Sequence, residues 1–399
     1  MNKKSAAIGI QTIAIHGGES PDRETGATAP NIVMSSTFVV DEPVSFSATN
    51  VDENSPYIYT RWSNPTTRQL EIKLALLEHA DQCLTFASGM AASSAVLFSL
   101  LNSGDHLVMS NTNYPGTAEV ARDQLPKKGI EVSPVDTTEL ALIEQAMTPN
   151  TRMVWIETPS NPLLQIIDIA KVAEIAHAHN ALLVVDSTFA SPIATRPLEL
   201  GADLVVHSLT KYIGGHGDAL GGAVLSSAAL ASRLRECGVL HYGATLSPFN
   251  AWLIMRGAAT LPLRMRAHQE NAMALADFLH QDSRVEHVLY PGHPSHPQHE
   301  VAKKQMNNYS GILSFKVKNP ARVAERMMKQ LKVIHYAVSV GHHRSLIYLL
   351  DTKDLIESSY RLEGAELAKY KAHAGDGLFR CSVGLEDAQD LIADLDHVL

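Results

Sequence analysis

Short apolar runs alternate with helical stretches through the middle of the chain, and this alternation limits the folds that the sequence can adopt. The helical stretches include "TTRQLEIKLALLEHA", where apolar residues recur at helical spacing. The runs rich in β-branched residues lie at 106–110, 153–158, 181–188, 202–208 and 221–226. Apolar strands separated by helices are typical of a mostly parallel sheet that is covered on both faces. We therefore predict an α/β fold.

The chain on either side of this region has a different character. Residues 1–64 lack steady periodicity and are rich in Ser, Thr, Asn and Pro, so we predict an N-terminal arm. Residues 65–256 hold the alternating pattern and form a predicted large domain, and residues 257–399 form a predicted smaller α+β domain. The elements predicted around and after that boundary are a long helical segment at 247–281, strands at 311–317 and 377–383, and helices at 320–330 and 386–398.

Length, charge and cysteine usage exclude several classes of protein. The length of 399 residues suggests two domains, and the formal net charge of -9 argues against nucleic acid or an anionic membrane as the main partner. The three cysteines are scattered, which fits a reducing cytoplasm and no disulfide framework. The histidine-rich segment 293–299 is interrupted by prolines and has no carboxylate at ligand spacing, so we predict no metal site. We find no signal peptide and no apolar run of the roughly 18 residues that span a membrane, and we expect a cytoplasmic protein.

Polar residues follow the predicted strands at the edge where parallel sheets bind ligands. Glu157, Asp186 and the segment 208–211 each come just past an apolar run, so we expect them to lie near one another. Asp186 has two interpretations: it caps a turn or helix, or it holds a proton on a heterocyclic nitrogen. Near the start of the pattern, "ASGMAASSAVLFSL" (87–100) places a Gly-containing turn before a helix, which is either a phosphate seat or an ordinary turn.

Lys211 lies in "SLTKYIGGHG" (208–217), directly after a predicted buried strand. From its position alone it is a surface residue, a phosphate binder, an acyl-transfer base or the amine that forms a Schiff base. "SLTK" fits the S-x-x-K motif of acyl-serine enzymes, but the S-D-N and K-T-G elements of those enzymes do not occur in the sequence. The glycines that follow Lys211 also disfavour the helix that normally carries that motif. We discard the acyl-serine interpretation.

Further segments combine with these residues into a pattern that covers nearly the whole chain. They are "YTRWSNPTTRQLE" (59–71), "ETPSNP" (157–162), "VVDSTFASP" (184–192), "HSLTKYIGGHGD" (207–218), "GATLSPFNAWLIMRG" (243–257), "YPGHPSHPQH" (290–299) and "RCSVGLED" (380–387). With them the sequence resembles the Cys/Met-metabolism family of pyridoxal phosphate enzymes. The resemblance implies the fold of aspartate aminotransferase (fold type I), with a mostly parallel central sheet and a smaller C-terminal domain. It also implies a homotetramer of two active dimers, in which the arm reaches the neighbouring subunit.

The resemblance implies a set of residues that bind pyridoxal phosphate. Lys211 would form the covalent bond with the cofactor aldehyde, Asp186 would hold the proton on the ring nitrogen, and Tyr114 would stack on the ring. Asn161 would contact the 3-oxygen of the ring. The phosphate would be held by Ser88, Gly89, Met90, Ser208 and Thr210, and by Tyr59 and Arg61 from a neighbouring subunit.

The same resemblance implies roles in catalysis and substrate binding. Lys211 would move protons at Cα and Cγ of an amino-acid substrate, and Tyr114 would exchange a proton near the leaving group. Ser339 and Arg380 would hold the substrate α-carboxylate, for which a guanidinium offers a bidentate geometry that lysine lacks. An aminotransferase and a catalytically silent scaffold on the same fold are the other interpretations of this set.

The motifs come closest to methionine γ-lyase and cystathionine γ-lyase. Val338 and Ile58 are apolar where cystathionine enzymes tend to be polar, which favours a methyl thioether substrate. Against this, Gly116 replaces a cysteine usual in methionine γ-lyases, Glu119 could receive a distal ammonium, and "GHHR" (341–344) departs from the usual pattern. We expect a carbon–sulfur lyase that carries out α,γ-elimination of methionine, homocysteine or cystathionine to 2-oxobutanoate, ammonia and a thiol. Cystathionine β-lyase and the γ-replacement enzymes, cystathionine γ-synthase and O-acylhomoserine sulfhydrylase, remain alternatives.

Overall fold

Two compact units make up the chain in the computed structural model, which describes residues 8–44, 47 and 55–399. The first unit comprises Met1–Leu100 and Asp203–Pro262, and the second comprises Leu101–Ala202 and Leu263–Leu399. Parts of the predicted arm, residues 1–7, 45, 46 and 48–54, lie outside the described residues. The domain boundaries at residues 64 and 256 stay a prediction.

The helices are distributed over both units. In chain order they are α1 (Ile10–His16), α2 (Pro65–Glu78), α3 (Gly89–Leu100), α4 (Pro115–Asp123), α5 (Leu140–Ala146), α6 (Ile169–Ala178), α7 (Ser191–Ala194), α8 (Ala228–Leu234), α9 (Pro248–Ala258), α10 (Leu261–Gln281), α11 (His299–Gln305), α12 (Pro320–Gln330), α13 (Thr352–Leu355), α14 (Gly364–Ala374) and α15 (Ala388–Val398). Among the described residues, no helix combines the length and the apolar character needed to cross a bilayer.

The strands follow the apolar runs of the sequence. In chain order they are β1 (Gln82–Phe86), β2 (His106–Ser110), β3 (Glu131–Val135), β4 (Thr151–Glu157), β5 (Leu182–Asp186), β6 (Leu204–Ser208), β7 (Gly222–Ser226), β8 (Val285–Leu289), β9 (Ile312–Val317), β10 (His335–Tyr336), β11 (Leu346–Asp351) and β12 (Gly377–Ser382). Every run rich in β-branched residues that we predicted as a strand is a strand, which confirms that part of the sequence analysis.

In the first unit, β7 lies between β1 and β6 and pairs antiparallel with both. The strands β1 and β7 are buried along their whole length. Helix α2 begins at Pro65 after Asn64, whose side chain accepts a hydrogen bond from the Thr66 N–H at 2.8 Å. Asn at the N-cap followed by Pro at the first helical position is a strong start signal, because Pro has no N–H to leave unsatisfied.

In the second unit, the strands β5, β4, β2 and β3 form a parallel array in that order. Their inner strands are apolar because helices cover the faces of a parallel sheet. Val154, Ile156, Leu183 and Val185 pack in one buried cluster with residues of α6. The strand β3 lies at the end of this order and contains Pro134, which is tolerated at an edge because no partner needs its missing N–H.

The C-terminal part of the second unit contains its own sheet, in the order β10, β11, β12, β9, β8. The pairs β11–β12, β12–β9 and β8–β9 are antiparallel. Side chains alternate between the faces of a strand, so Phe379 and Cys381 enter the hydrophobic core while Arg380 and Ser382 point to the opposite face. This alternation places the substrate-binding candidate Arg380 on the face away from that core.

Candidate active site

Lys211 lies in a series of tight turns that follows the end of β6. Its N–H donates to the Ser208 carbonyl at 3.1 Å, and its own carbonyl accepts from the Gly215 N–H at 2.7 Å. Gly215 has φ of 71°, which is the left-handed region that favours glycine. The predicted strand end and the absence of a helix after Lys211 are therefore confirmed. The lysine is half-buried and belongs to the first unit.

The N-terminus of α3 meets the end of β6. Ser88 precedes the helix, and its hydroxyl accepts from the Ala91 N–H at 3.1 Å, as an N-cap does. A Cβ placed on Gly89 would lie 2.9 Å from the Ser208 Cβ and 3.0 Å from its Oγ. Only glycine therefore lets the helix terminus approach the Ser208 hydroxyl this closely. Of the two interpretations of this segment, the close approach favours a phosphate seat.

The surrounding groups suit a phosphate dianion. The first N–H groups of α3, which include those of Gly89 and Met90, have no partner within the helix, and the helix dipole is positive at this end. Ser208 adds a hydroxyl. The Thr210 hydroxyl accepts the Gly221 N–H at 3.2 Å and donates to the Gly221 carbonyl at 3.3 Å, so it would have to redirect its proton to reach a phosphate. Hydroxyls and free backbone donors at a helix N-terminus are the donor set that a phosphate needs. The residues present therefore fit the phosphate of the expected cofactor.

Tyr59 and Arg61 lie next to each other near the end of the predicted arm. The Arg61 guanidinium lies 5.6 Å from the centre of the Tyr59 ring, within the range of a cation–π contact. One guanidinium nitrogen of Arg61 donates to the Leu240 carbonyl, and the Tyr59 side chain is 40% exposed. The contribution of this pair to a phosphate in a neighbouring subunit stays a prediction.

Two carboxylates lie side by side in the second unit. Glu157 ends β4 and Asp186 ends β5, and the two residues face each other in the parallel register. Both are buried. Asp186 accepts the Thr188 N–H at 3.0 Å, which is the turn contact expected of an aspartate after a strand, and this contact leaves both interpretations of Asp186 open. The expected proximity of Glu157 and Asp186 is confirmed.

Glu157 is the more buried of the two carboxylates, at 4% exposure. Burial, followed by the neighbouring charge of Asp186, raises the pKa of Glu157 well above its ordinary value. The backbone N–H groups of Tyr114 and Asn161 oppose this shift, because they donate to the two Glu157 oxygens at 2.5 and 2.8 Å. Glu157 thus connects two residues to which the resemblance assigns roles.

Tyr114 occupies the position just before α4, and Pro115 starts the helix. Its side chain is 47% exposed, so the ring is accessible for stacking although its backbone is fixed by Glu157. Gly116 and Glu119 follow on the same helix. Glu119 accepts a hydrogen bond from the Ser359 hydroxyl at 2.8 Å.

Asn161 and Arg380 are in direct contact. The Arg380 guanidinium donates to the Asn161 Oδ1 at 2.7 Å and lies 6.0 Å from the centre of the Phe189 ring. Both residues are buried, with 5% and 8% exposure. A guanidinium held by an amide and an aromatic face is preorganised to receive a carboxylate. The structure thus brings together two of the residues predicted from the sequence.

Ser339 lies in a turn that is fixed to the strand of Arg380. The Gly341 N–H donates to the Ser382 Oγ at 2.8 Å, and Ser382 shares a strand face with Arg380. Ser339 has φ of 153°, a conformation that residues other than glycine rarely adopt. A hydrogen bond of 3.2 Å joins its Oγ to Nε2 of His342, the first histidine of the unusual "GHHR" segment.

No role for Tyr360 was predicted from the sequence, although its hydroxyl is a buried link in this site. The hydroxyl oxygen lies 3.0 Å from the carbonyls of both Asn113 and Asn161 and shares its single proton between them. The two partners lie 247 and 199 residues away in the chain, so no local pattern could have predicted these contacts. Glu157 was placed at the sheet edge by its position after an apolar run, but its hydrogen bonds were not predicted.

A solved structure shares this architecture and identifies the class of protein. Cystathionine gamma-lyase from Lactobacillus plantarum, crystallised with L-serine, matches with a TM-score of 0.87 and 37% identity over 98% of each chain. The fold is thus that of pyridoxal-phosphate-dependent enzymes of fold type I, and the expected fold class and cofactor are confirmed.

Comparisons with other sequences place the chain more narrowly. The family model described as "Cys/Met metabolism PLP-dependent enzyme" matches residues 11–399, and the chain belongs to this family. L-methionine gamma-lyase from Fusobacterium nucleatum subsp. polymorphum is 41% identical over 98% of each chain. Canavanine gamma-lyase from Pseudomonas canavaninivorans is 39% identical over 100% of this chain and 98% of its own. Cystathionine gamma-synthase from Mycobacterium bovis is 40% identical over 98% of this chain and 97% of its own.

Proposed function

We propose that the protein is a carbon–sulfur lyase that carries out α,γ-elimination of a sulfur amino acid. The products would be 2-oxobutanoate, ammonia and a thiol, and L-methionine is the substrate that we favour over homocysteine and cystathionine. The observation that carries the proposal is the similarity to relatives whose names, lyase and synthase alike, describe a reaction at the γ position. This shared position argues against the β-lyase alternative.

The residues of this chain divide the reaction between binding and proton transfer. When bound, pyridoxal phosphate supplies an electron sink that stabilises negative charge at the substrate carbons. Arg380 and Ser339 would hold the α-carboxylate and so orient the Cα–H bond towards the lysine. Lys211 would take the proton from Cα and move protons at Cγ, and Tyr114 would give a proton to the departing sulfur.

The remaining residues would hold the cofactor. Asp186 would keep the ring nitrogen protonated, because a carboxylate at short range stabilises the adjacent positive charge. Asn161 would contact the 3-oxygen. The phosphate would be bound by Ser88, Gly89, Met90, Ser208 and Thr210, with Tyr59 and Arg61 supplied by a neighbouring subunit.

Val338 favours an apolar distal group on the substrate. Val338, next to the carboxylate-binding candidate Ser339, is 65% exposed and presents an apolar surface. Glu119, the candidate partner for the distal ammonium of cystathionine, already accepts the Ser359 hydroxyl at 2.8 Å. That hydrogen bond occupies one of the two carboxylate oxygens, so the preference rests on Val338, beside which a methyl thioether needs no polar partner.

We also propose that the protein is a cytoplasmic homotetramer. Large apolar side chains of the first unit are strongly exposed in the single chain, among them Val39 at 95%, Met34 at 65% and Ile8 at 63%. Large apolar side chains that are exposed to this extent support a surface that another subunit covers. Such a neighbour is also required by the proposed contribution of Tyr59 and Arg61.

A panel of substrates tests the reaction. The purified protein with pyridoxal phosphate is incubated with L-methionine, L-homocysteine, L-cystathionine and O-succinyl-L-homoserine plus L-cysteine, and 2-oxobutanoate, pyruvate, thiol and cystathionine are measured. We expect 2-oxobutanoate and methanethiol from methionine with the highest kcat/KM. Pyruvate alone from cystathionine would establish the β-lyase, and cystathionine as the main product of the last mixture would establish γ-replacement.

A further inference from the structure

The peptide group between Asn113 and Tyr114 is held at both ends by buried side chains. Its carbonyl accepts the hydroxyl of Tyr360 at 3.0 Å, and its N–H donates to a carboxylate oxygen of Glu157 at 2.5 Å. The nitrogen of this peptide group is bonded to the Cα of Tyr114, which carries the side chain. The orientation of the peptide group therefore sets the direction in which the Tyr114 ring leaves the backbone.

The same two side chains hold Asn161. The other Glu157 oxygen accepts the Asn161 N–H at 2.8 Å, and the Tyr360 hydroxyl also contacts the Asn161 carbonyl at 3.0 Å. The Asn161 side chain in turn receives the Arg380 guanidinium at 2.7 Å. Glu157 and Tyr360 thus contact the backbone behind both the ring-stacking candidate and the carboxylate-binding pair.

The two side chains themselves are buried. Glu157 is 4% exposed and Tyr360 is 7% exposed. Burial raises the pKa of the Tyr360 hydroxyl well above its ordinary value, so the hydroxyl keeps the single proton that the two carbonyls share. Water cannot readily replace a partner that is removed from such a site, and the backbone groups would have to move to find new partners.

We propose that Glu157 and Tyr360 are positioning residues, which we call the Glu157–Tyr360 clamp, and that they set the placement of Tyr114 and of the Asn161–Arg380 pair for the reaction. The clamp touches neither the substrate nor the reacting atoms by this account. It acts through backbone groups only. The inference rests on the proposed function, because it takes the roles of Tyr114, Asn161 and Arg380 from there.

Two conservative substitutions test the clamp in the full-length enzyme with cofactor. Tyr360→Phe removes the hydroxyl and keeps the ring, and Glu157→Gln keeps the volume but replaces one acceptor oxygen by a donor. A displacement of the order of 1 Å at a catalytic group costs about 100-fold in rate, so we expect kcat/KM for L-methionine to fall about 10- to 100-fold in each variant. The double variant should lose less than the product of the two, because both residues hold the same peptide group.

Matched control variants separate positioning from stability. Tyr290→Phe removes another buried hydroxyl that donates to a backbone carbonyl, that of Ser310, at 3.0 Å. Asp394→Asn alters another buried carboxylate, which accepts the N–H groups of residues 332–334 at 2.8–2.9 Å. These hydrogen bonds of the two control residues go to backbone groups of residues 310 and 332–334, which are not among the proposed site residues. Both controls should lower the melting temperature and leave kcat/KM within about twofold of wild type.

The visible circular dichroism of the bound cofactor gives a second readout, which is independent of turnover. Displacement of Tyr114 and Asn161 should change this band in both clamp variants and leave it unchanged in the controls. A band and a kcat/KM that both match wild type in folded Tyr360→Phe would overturn the proposal. If Glu157→Gln does not fold, the kcat/KM and the dichroism band of Tyr360→Phe alone decide whether the clamp proposal holds. Wild-type enzyme that turns over no member of the substrate panel would refute the proposed function, and the dichroism comparison would still decide the clamp.

Discussion

Gly89→Ala is the substitution that most sharply tests the proposed phosphate seat. The added Cβ would lie 2.9 Å from the Ser208 Cβ, whereas unbonded carbon atoms prefer a separation of about 3.5–4.0 Å. The helix terminus or the end of β6 would therefore have to move by roughly 0.6–1 Å. Either movement separates the N–H groups of α3 from the Ser208 hydroxyl, which the seat requires together.

The expected effects on stability and on cofactor binding differ in size. Overpacking of this kind costs about 1–3 kcal/mol, and alanine is about 1 kcal/mol more favourable than glycine within a helix, so the two effects partly offset each other in folding. Cofactor binding has no such compensation. A loss of about 1–3 kcal/mol there corresponds to a roughly 5- to 150-fold weaker affinity for pyridoxal phosphate.

The assay is a titration of the cofactor-free protein with pyridoxal phosphate, followed by the change in absorbance. Gly9→Ala is the matched control, because a Cβ on Gly9 meets no atom within 4 Å. The reasoning is refuted if Gly89→Ala binds the cofactor within twofold of wild type while its melting temperature is normal. It is also refuted if Gly9→Ala shows the same loss.

Two further predictions concern the carboxylate-binding residue Arg380 and the loss of stability at acid pH. Arg380→Lys keeps a positive charge but loses the planar fork that binds a carboxylate through two hydrogen bonds. We expect a loss of about 1.5–3 kcal/mol of transition-state stabilisation, so that kcat/KM for L-methionine falls roughly 10- to 150-fold, mainly through a higher KM. An unchanged KM would contradict the assignment of Arg380 to the substrate carboxylate. Burial lowers the pKa of His296 to about 4, whereas a histidine in the unfolded chain titrates near 6.5. Because the unfolded state binds the proton first, the free energy of unfolding falls as the pH drops from about 6.5 towards 4. His296→Gln should remove up to about 3 kcal/mol of this pH dependence, measured as urea midpoints at several pH values, and a slope equal to that of wild type would show that His296 does not titrate on unfolding.

Elements with a local signal could be predicted from the sequence. The helix predicted at 320–330 is α12, because Pro320 marks its first position and the apolar spacing continues from there. The strands β5 and β6 were predicted because each is an uninterrupted apolar run. Those strand ends also explain why Asp186 and Lys211 could be named as site candidates.

Other elements needed tertiary information. The helical segment predicted at 247–281 is two helices, α9 and α10, because the chain breaks at Thr260, whose hydroxyl donates to the Gly257 carbonyl at 3.1 Å. The edge strand β3 was not predicted, since Pro134 interrupts its pattern. The short helix α1 lies in the predicted arm, where no periodicity indicated it.

The features of the candidate site also divide into those with a local sequence signal and those that need tertiary information. The positions of Gly89 and Ser208 follow from a turn before a helix and from a strand end, which are local features. The contacts of Tyr360 with Asn113 and Asn161 join residues 247 and 199 positions apart, and they exist only once the second unit has folded. The hydrogen bond between Glu119 and Ser359 likewise joins residues 240 positions apart, so no local pattern could have predicted it.

The most direct test of the account is the product of the reaction with L-methionine in wild type and in Lys211→Ala. The cofactor-loaded wild-type enzyme should release 2-oxobutanoate, methanethiol and ammonia in equal amounts. Lys211→Ala, at the same protein concentration, should release none of them and should lose the visible absorbance band of the lysine-bound cofactor. Methanethiol release by Lys211→Ala at the wild-type rate, or no 2-oxobutanoate from wild type, would contradict the account.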